Sequence, residues 1–114
     1  MLAVQEELPY LKTLIASTRV EFQKFLLYSS KKRVTIVCEI IANILNKNIP
    51  SNDVEIKALS RHKRLLRKLC KTSQASKLRK KNLIRHSALI QETLKRYIDR
   101  IEDLLKQWIQ SEEQ

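Results

Sequence analysis

An all-α fold, a single compact bundle of four to five helices across residues 1–114, is what this sequence predicts, and three observations carry that expectation. Glycine is absent, and proline occurs only at Pro9 and Pro50. Sheet proteins need glycine in their turns, whereas helices joined by short polar segments do not. Apolar residues recur at spacings of three and four along most of the chain, which is the period of a helix. An apolar content of 43% suffices for a packed core, and 114 residues are the size of one domain. The missing glycine also excludes the loops of Rossmann and Walker-type nucleotide sites, where backbone must approach phosphate closely.

Taken in order, Leu8, Leu11, Leu14 and Ile15 fall at helical spacing, with Pro9 in the first turn, where its missing N–H costs nothing. Ser17-Thr18 interrupts, and Thr18 with Glu21 makes a capping box for a second run through Phe22, Phe25, Leu26 and Tyr28. The expectation is a kinked or broken first helix over about residues 8–28. Ser29-Ser30 offers the next N-cap. Val34 to Leu45, VTIVCEIIANIL, is apolar on most of its circumference, with one polar stripe at Thr35, Glu39, Asn43 and Asn46. A helix of that kind is surrounded by others, so it is the expected centre of the bundle. The stripe reads as solvated or as a tie to a neighbouring helix end. Asn46 to Pro50, NKNIP, is a turn in which Asn takes the left-handed conformation and Pro50 blocks continuation. Asn52 with Glu55 forms a second capping box, opening a helix from Asp53 to about Lys71.

Charge singles that helix out. Ile56 to Gln91 holds no Asp or Glu and twelve bases: Lys57, Arg61, Lys63, Arg64, Arg67, Lys68, Lys71, Lys77, Arg79, Lys80, Lys81 and Arg85. The chain has 23 bases and 12 acids, so the other eleven bases face all twelve acids, and the net +11 belongs to this third. At 100° per residue, Leu59, His62, Leu65, Leu66, Leu69 and Cys70 share an arc of about 140°. Lys57, Arg61, Arg64, Lys68 and Lys71 form a ridge opposite it, with Lys63 and Arg67 on the shoulder. A solvated face ordinarily mixes signs, and within Ile56 to Gln91 there is no acid to pair a base at i,i+4. Uncompensated like charge costs folding stability, so the ridge points to a bound polyanion.

Thr72 to Ser76 reads as a polar joint. Ser76 caps a short basic helix to Arg85 whose apolar residues, Leu78, Leu83 and Ile84, form no clean stripe, so ordering on a partner is expected there. Ser87 caps a regular amphipathic helix over 88–110, with Glu92–Arg96 and Glu102–Lys106 pairs on its outer face. Its apolar side packs on its own domain or, as the alternative, makes a homo-oligomer seam through Leu94, Ile98, Ile101, Leu105 and Trp108. Ser111 to Gln114 is expected to fray.

No catalytic constellation is present, and no enzyme, metal or cofactor is expected. His62, His86, Cys38 and Cys70 lack chelating spacing, and His62 is expected at the helix interface. The cysteines read as buried free thiols, joined by a disulfide only if the helices bring them together. Nucleic acid, DNA or RNA, is the leading partner. The basic third contains no Phe, Trp or Tyr, and its only amides are Gln74, Asn82 and Gln91. Base stacking and base readout are therefore thin, and a phosphate-directed, salt-sensitive, weakly specific binder is expected. The alternative is an assembly module docking an acidic protein. Attachment to an anionic membrane is disfavoured, because no Trp or Phe flanks the ridge. Glu6 and Glu7 stand where a signal peptide would be apolar, and no run reaches the ~18 residues of a membrane span. An intracellular location, in nucleus or virion, is the expectation.

The runs CEIIANILNKNIP (Cys38 to Pro50), RHKRLLRKL (Arg61 to Leu69) and SKLRKKNLI (Ser76 to Ile84), in that order, resemble small basic proteins of adintovirus- and Maverick/Polinton-like DNA elements of invertebrates. The likeness covers roughly residues 8–84. It implies a viral or mobile-element protein packaged with a DNA genome. The family pattern continues into a Gly-Gly-Phe-Leu-like apolar end, where this chain has Arg85-His86-Ser87-Ala88-Leu89 and a long charged helix.

Overall fold

The chain is all-helical in a computed structural model that describes residues 5–71 and 75–113, less the side chains of Ser76 and of residues 108–113. Six helices are seen among the described residues: α1 (Leu8–Ala16), α2 (Arg19–Tyr28), α3 (Lys31–Leu45), α4 (Asp53–Leu69), α5 (Ser76–Arg85) and α6 (Ser87–Glu113). The count exceeds the expected four to five because the break at Ser17-Thr18 is complete. Thr18 is extended, and its hydroxyl oxygen accepts from the Glu21 N–H at 3.2 Å. The Glu21 carboxylate takes the Thr18 hydroxyl proton instead of the cap's backbone N–H, so only half of the expected box forms. A buried Gln91 from α6 holds the break. Its Nε2 donates to the Ser17 carbonyl at 2.9 Å, and its Oε1 accepts from Arg19 Nε at 2.7 Å.

Ser30 caps α3, accepting from the Arg33 N–H. Val34, Ile36, Val37, Cys38, Ile40, Ile41, Ile44 and Leu45 are all buried, which makes α3 the axis of the core. Its end departs from expectation in one residue. Lys47, not an Asn, takes the left-handed conformation at φ 62°. The Asn48 N–H reaches back to the Asn43 carbonyl at 2.9 Å and the Lys47 N–H to the Ile44 carbonyl at 3.2 Å, a Schellman closure in which the flanking Asn residues serve otherwise. Asn46 is the C-cap, and Asn48 Nδ2 donates to Asn43 Oδ1 at 2.9 Å, so Asn43 of the polar stripe ties to the closing turn of its own helix, and Glu39 is exposed.

Around α3 the core gathers Leu11 and Leu14 of α1, Phe22 and Leu26 of α2, Leu66 and Leu69 of α4, Leu83 of α5, and Ile90, Leu94, Tyr97, Ile101 and Leu105 of α6. Each such burial contributes about 1.5–3 kcal/mol. The radius of gyration is 13.8 Å, near the ~13 Å of a compact domain of this length. Ser87 is the first residue of α6, not its cap, and its hydroxyl accepts from Gln23 Nε2 at 2.9 Å. Likewise Ser76 begins α5, and Ala75 precedes it as a cap without a side-chain bond. Of the joint expected at Thr72 to Ser76, residues 72–74 lie outside the described residues, as does the Trp108 side chain. Where fraying was expected from Ser111 to Gln114, α6 instead continues through Glu113, and Gln114 lies outside the described residues.

Candidate nucleic-acid interface

The basic helix α4 is fixed at both ends. At its start both halves of the capping box form: Asn52 Oδ1 accepts from the Glu55 N–H and Glu55 Oε1 from the Asn52 N–H, each at 2.9 Å. The other Glu55 oxygen meets Arg100 Nη2 of α6 at 2.7 Å. Arg100 also donates to the Pro50 carbonyl at 2.8 Å and lies over the Tyr97 ring. The Tyr97 hydroxyl bonds that of Ser51 at 2.6 Å. One arginine thus fastens the turn and the helix start to α6. Bonding to Arg100, ahead of the opposing effect of burial, holds the Glu55 carboxyl below the usual carboxylate range.

At the far end Leu66 and Leu69 enter the core, while Leu59, Leu65 and Cys70 pack at its edge. Cys38 and Cys70 do come together. They are free thiols, and the neighbouring Cys38, with burial, pushes the Cys70 thiol above its ordinary value. His62, expected at the interface, is exposed instead, on the rim of a groove between α4 and α6. The arc that packs is narrower than the apolar arc, because the fully buried apolar residues of α4, Leu66 and Leu69, lie in its C-terminal half and Leu59 reaches only the edge of the core. His86 is the C-cap of α5.

All six cations of α4, namely Lys57, Arg61, Lys63, Arg64, Arg67 and Lys68, and Lys71 just past its end are exposed. Among the described residues, Lys57, Arg61, Lys63, Arg64, Arg67 and Lys71 form no ion pair. The densest part is displaced from the ridge read on the helical wheel. A shallow groove along the helix is lined by Ser60, Lys63, Arg64, Arg67, Lys68 and Lys71, so the two shoulder residues belong to its centre. Arg61 turns the other way, toward Arg96 across the α4–α6 groove. From Lys63 to Lys68 the helix rises about 7.5 Å, or about two phosphate steps along one strand at about 3.4 Å each, and Lys71 follows just past its end.

The second patch is only partly available. Lys77, Lys81 and Arg85, at i, i+4 and i+8 on α5, are exposed. Arg79 is not, at 3% exposure. Its Nη2 donates to Thr35 Oγ1 of α3 at 2.9 Å, and its Nε has no partner. Lys80 is spent on α2, donating to the carbonyls of Ser29 at 2.7 Å and Leu27 at 3.1 Å, which closes that helix's end. The inward face of α5 is Arg79 with Leu83, four residues apart. A stripe that includes an arginine is invisible to apolar periodicity, and it lets α5 pack on α2 without a partner. A buried, half-satisfied charge is costly, and an apolar side chain of similar length is often as good or better. Arg79→Met is therefore expected to leave nucleic-acid affinity within about twofold and to leave the melting temperature unchanged or raised, as read by titration and thermal unfolding.

Leu94, Ile98, Ile101 and Leu105 are buried against the chain's own helices, so that face of α6 is not a free surface. Glu102 pairs with Lys12 at 2.7 Å and with Lys106 at 3.7 Å, whereas Glu92 and Arg96 form no ion pair among the described residues. The amide of Gln91, a candidate for base contact, is consumed at the α1–α2 break. Aromatic side chains do gather outside the basic third, where Tyr10, Phe25 and Tyr28 wall a cleft. Its signal in the sequence is Tyr28 directly before Ser-Ser-Lys-Lys-Arg. No group of three or more His, Cys, Asp or Glu side chains able to hold a metal occurs among the described residues, and no described helix is long and apolar enough to cross a membrane. Compared with protein-family models, with curated proteins and with solved structures, the chain matches none.

Proposed function

We propose that this chain is a non-enzymatic nucleic-acid-binding protein that neutralises backbone phosphates with the outward face of α4, weakly selective for sequence. The observation that carries the reading is the acid-free cationic groove on α4, a rigid helix held at both ends by the rest of the fold. Preset positive charge on an anchored helix binds a polyanion without first ordering the chain. Lys77, Lys81 and Arg85 supply a second, smaller contact. The finer assignment, a core or packaging protein of a virus-like element working in nucleus or virion, rests on the family resemblance alone. Titrating duplex DNA, single-stranded DNA and RNA against the chain tests the reading. Engagement of six to ten phosphates lowers affinity by about 10³–10⁵ between 50 and 200 mM salt. Binding that ignores salt, or none to any of the three, removes nucleic acid as partner and leaves an acidic protein surface as the ligand of the groove.

A further inference from the structure

We propose that the cleft between α1, α2 and the start of α3 takes one unpaired base of a single-stranded segment, stacked on Tyr28; this rests on the nucleic-acid reading above and names the strand state that the protein prefers. Tyr28 ends α2 and is 83% exposed, an unusual position for so large an aromatic that pairs with no other ring among the described residues. Beside it the cleft is already built. Tyr10 and Phe25 meet edge to face, with centroids 6.4 Å apart and planes at 86°. The Arg33 guanidinium lies 4.3 Å over the Tyr10 ring and is held by Glu7 at 2.8 Å, and the Tyr10 hydroxyl is bonded to that of Ser29. These walls are fixed before any ligand arrives, so little ordering is needed on binding.

Charge decides what fits. Lys24 and Arg33 line the cleft, and Lys31 and Lys32 follow the Tyr28-Ser29-Ser30 corner. Arg33 is paired with Glu7, Lys32 with Glu6 at 3.6 Å, and Lys80 is held by the carbonyls on either side of Tyr28, so Lys24 and Lys31 are the two of these that form no ion pair or carbonyl bond among the described residues. Backbone phosphates are matched outside. Glu21 is the single acid of the cleft lining, and its carboxylate repels phosphate from the interior while accepting from the amino group of a base. A base inside with phosphates outside matches this polarity, and a lipid headgroup does not. A paired base cannot enter, since both its faces are stacked in the duplex. The aromatics absent from the basic third are thus supplied by α1 and α2, beside the α5 patch that packs on α2.

The test is fluorescence anisotropy with the full chain, using a labelled mixed-sequence 12-nucleotide strand and the matching duplex at one salt concentration. Tyr28→Ala is expected to weaken single-strand binding by about tenfold and duplex binding by less than twofold, while Tyr28→Phe keeps both within about twofold. The exposed position leaves helicity and melting temperature unchanged in both variants. Single-strand affinity unaffected by Tyr28→Ala, or equal losses on strand and duplex, overturns the proposal while the phosphate-binding role of α4 stands. No salt-dependent binding of either nucleic acid by the wild-type chain overturns both.

Discussion

Replacing Lys63, Arg64 and Arg67 together by Gln is expected to lower duplex affinity on the order of 100-fold at about 150 mM salt. The three line the groove on α4, are fully outward, and form no ion pair among the described residues. If each neutralises one phosphate, the slope of log affinity against log salt becomes shallower by about 0.9 per residue, or about 2.7 in all. Gln keeps helix propensity close to that of Lys and Arg. Removing mutual repulsion does not harm folding, so helicity and melting temperature should hold or rise. The loss should be nearly the same on unrelated sequences, because phosphate contacts carry no base information. A loss confined to one sequence would mean that these side chains read bases.

Arg100→Ala is expected to cost about 2–4 kcal/mol of folding stability, a large share for a domain of this size, measured by chemical denaturation. It leaves Glu55, whose side chain is only 10% exposed, without its charge partner, and it frees the Pro50 carbonyl and the Tyr97 face together. Glu55→Gln retains an acceptor for the capping bond and removes the charge, so a double-mutant cycle with Arg100→Ala isolates the pair. The same contact fixes an acid dependence. Because the Glu55 carboxyl titrates lower when folded than when unfolded, its contribution is complete above the unfolded value of about 4.3. It is lost as pH falls through the lowered folded value. Glu55→Gln should therefore flatten part of the stability loss below about pH 4.3, and Glu102, also lowered by Lys12 and Lys106, accounts for a further part.

What was legible in the sequence was local. The Asn52–Glu55 box, the Ser30 cap, the break at Ser17-Thr18 and the near-uniform apolar surface of Val34 to Leu45 each follow from residues within one or two turns of one another. The exposure of the α4 cations followed too, since a sixfold cationic helix with a Leu face has one way to dock. What was not legible depends on tertiary partners. Arg79 faces inward because Thr35 of α3 is there to receive it, and Lys80 is consumed because α2 ends beside it. The groove centres on Lys63 and Arg67 because α4 enters the core most deeply through Leu66 and Leu69, with Leu59, Leu65 and Cys70 only at its edge. Periodicity counts charged residues as outward, and a basic stretch that also packs against two helices defeats that rule.

The account turns on phosphate neutralisation by a helix anchored in advance. The most direct measurement is the affinity of the wild-type chain for a short DNA duplex over a salt series. A line of log affinity against log salt with a slope of about −5 or steeper, the value for six or more phosphates, is the predicted result. A slope near zero, or the same slope in the Lys63/Arg64/Arg67 triple variant as in wild type, would contradict it.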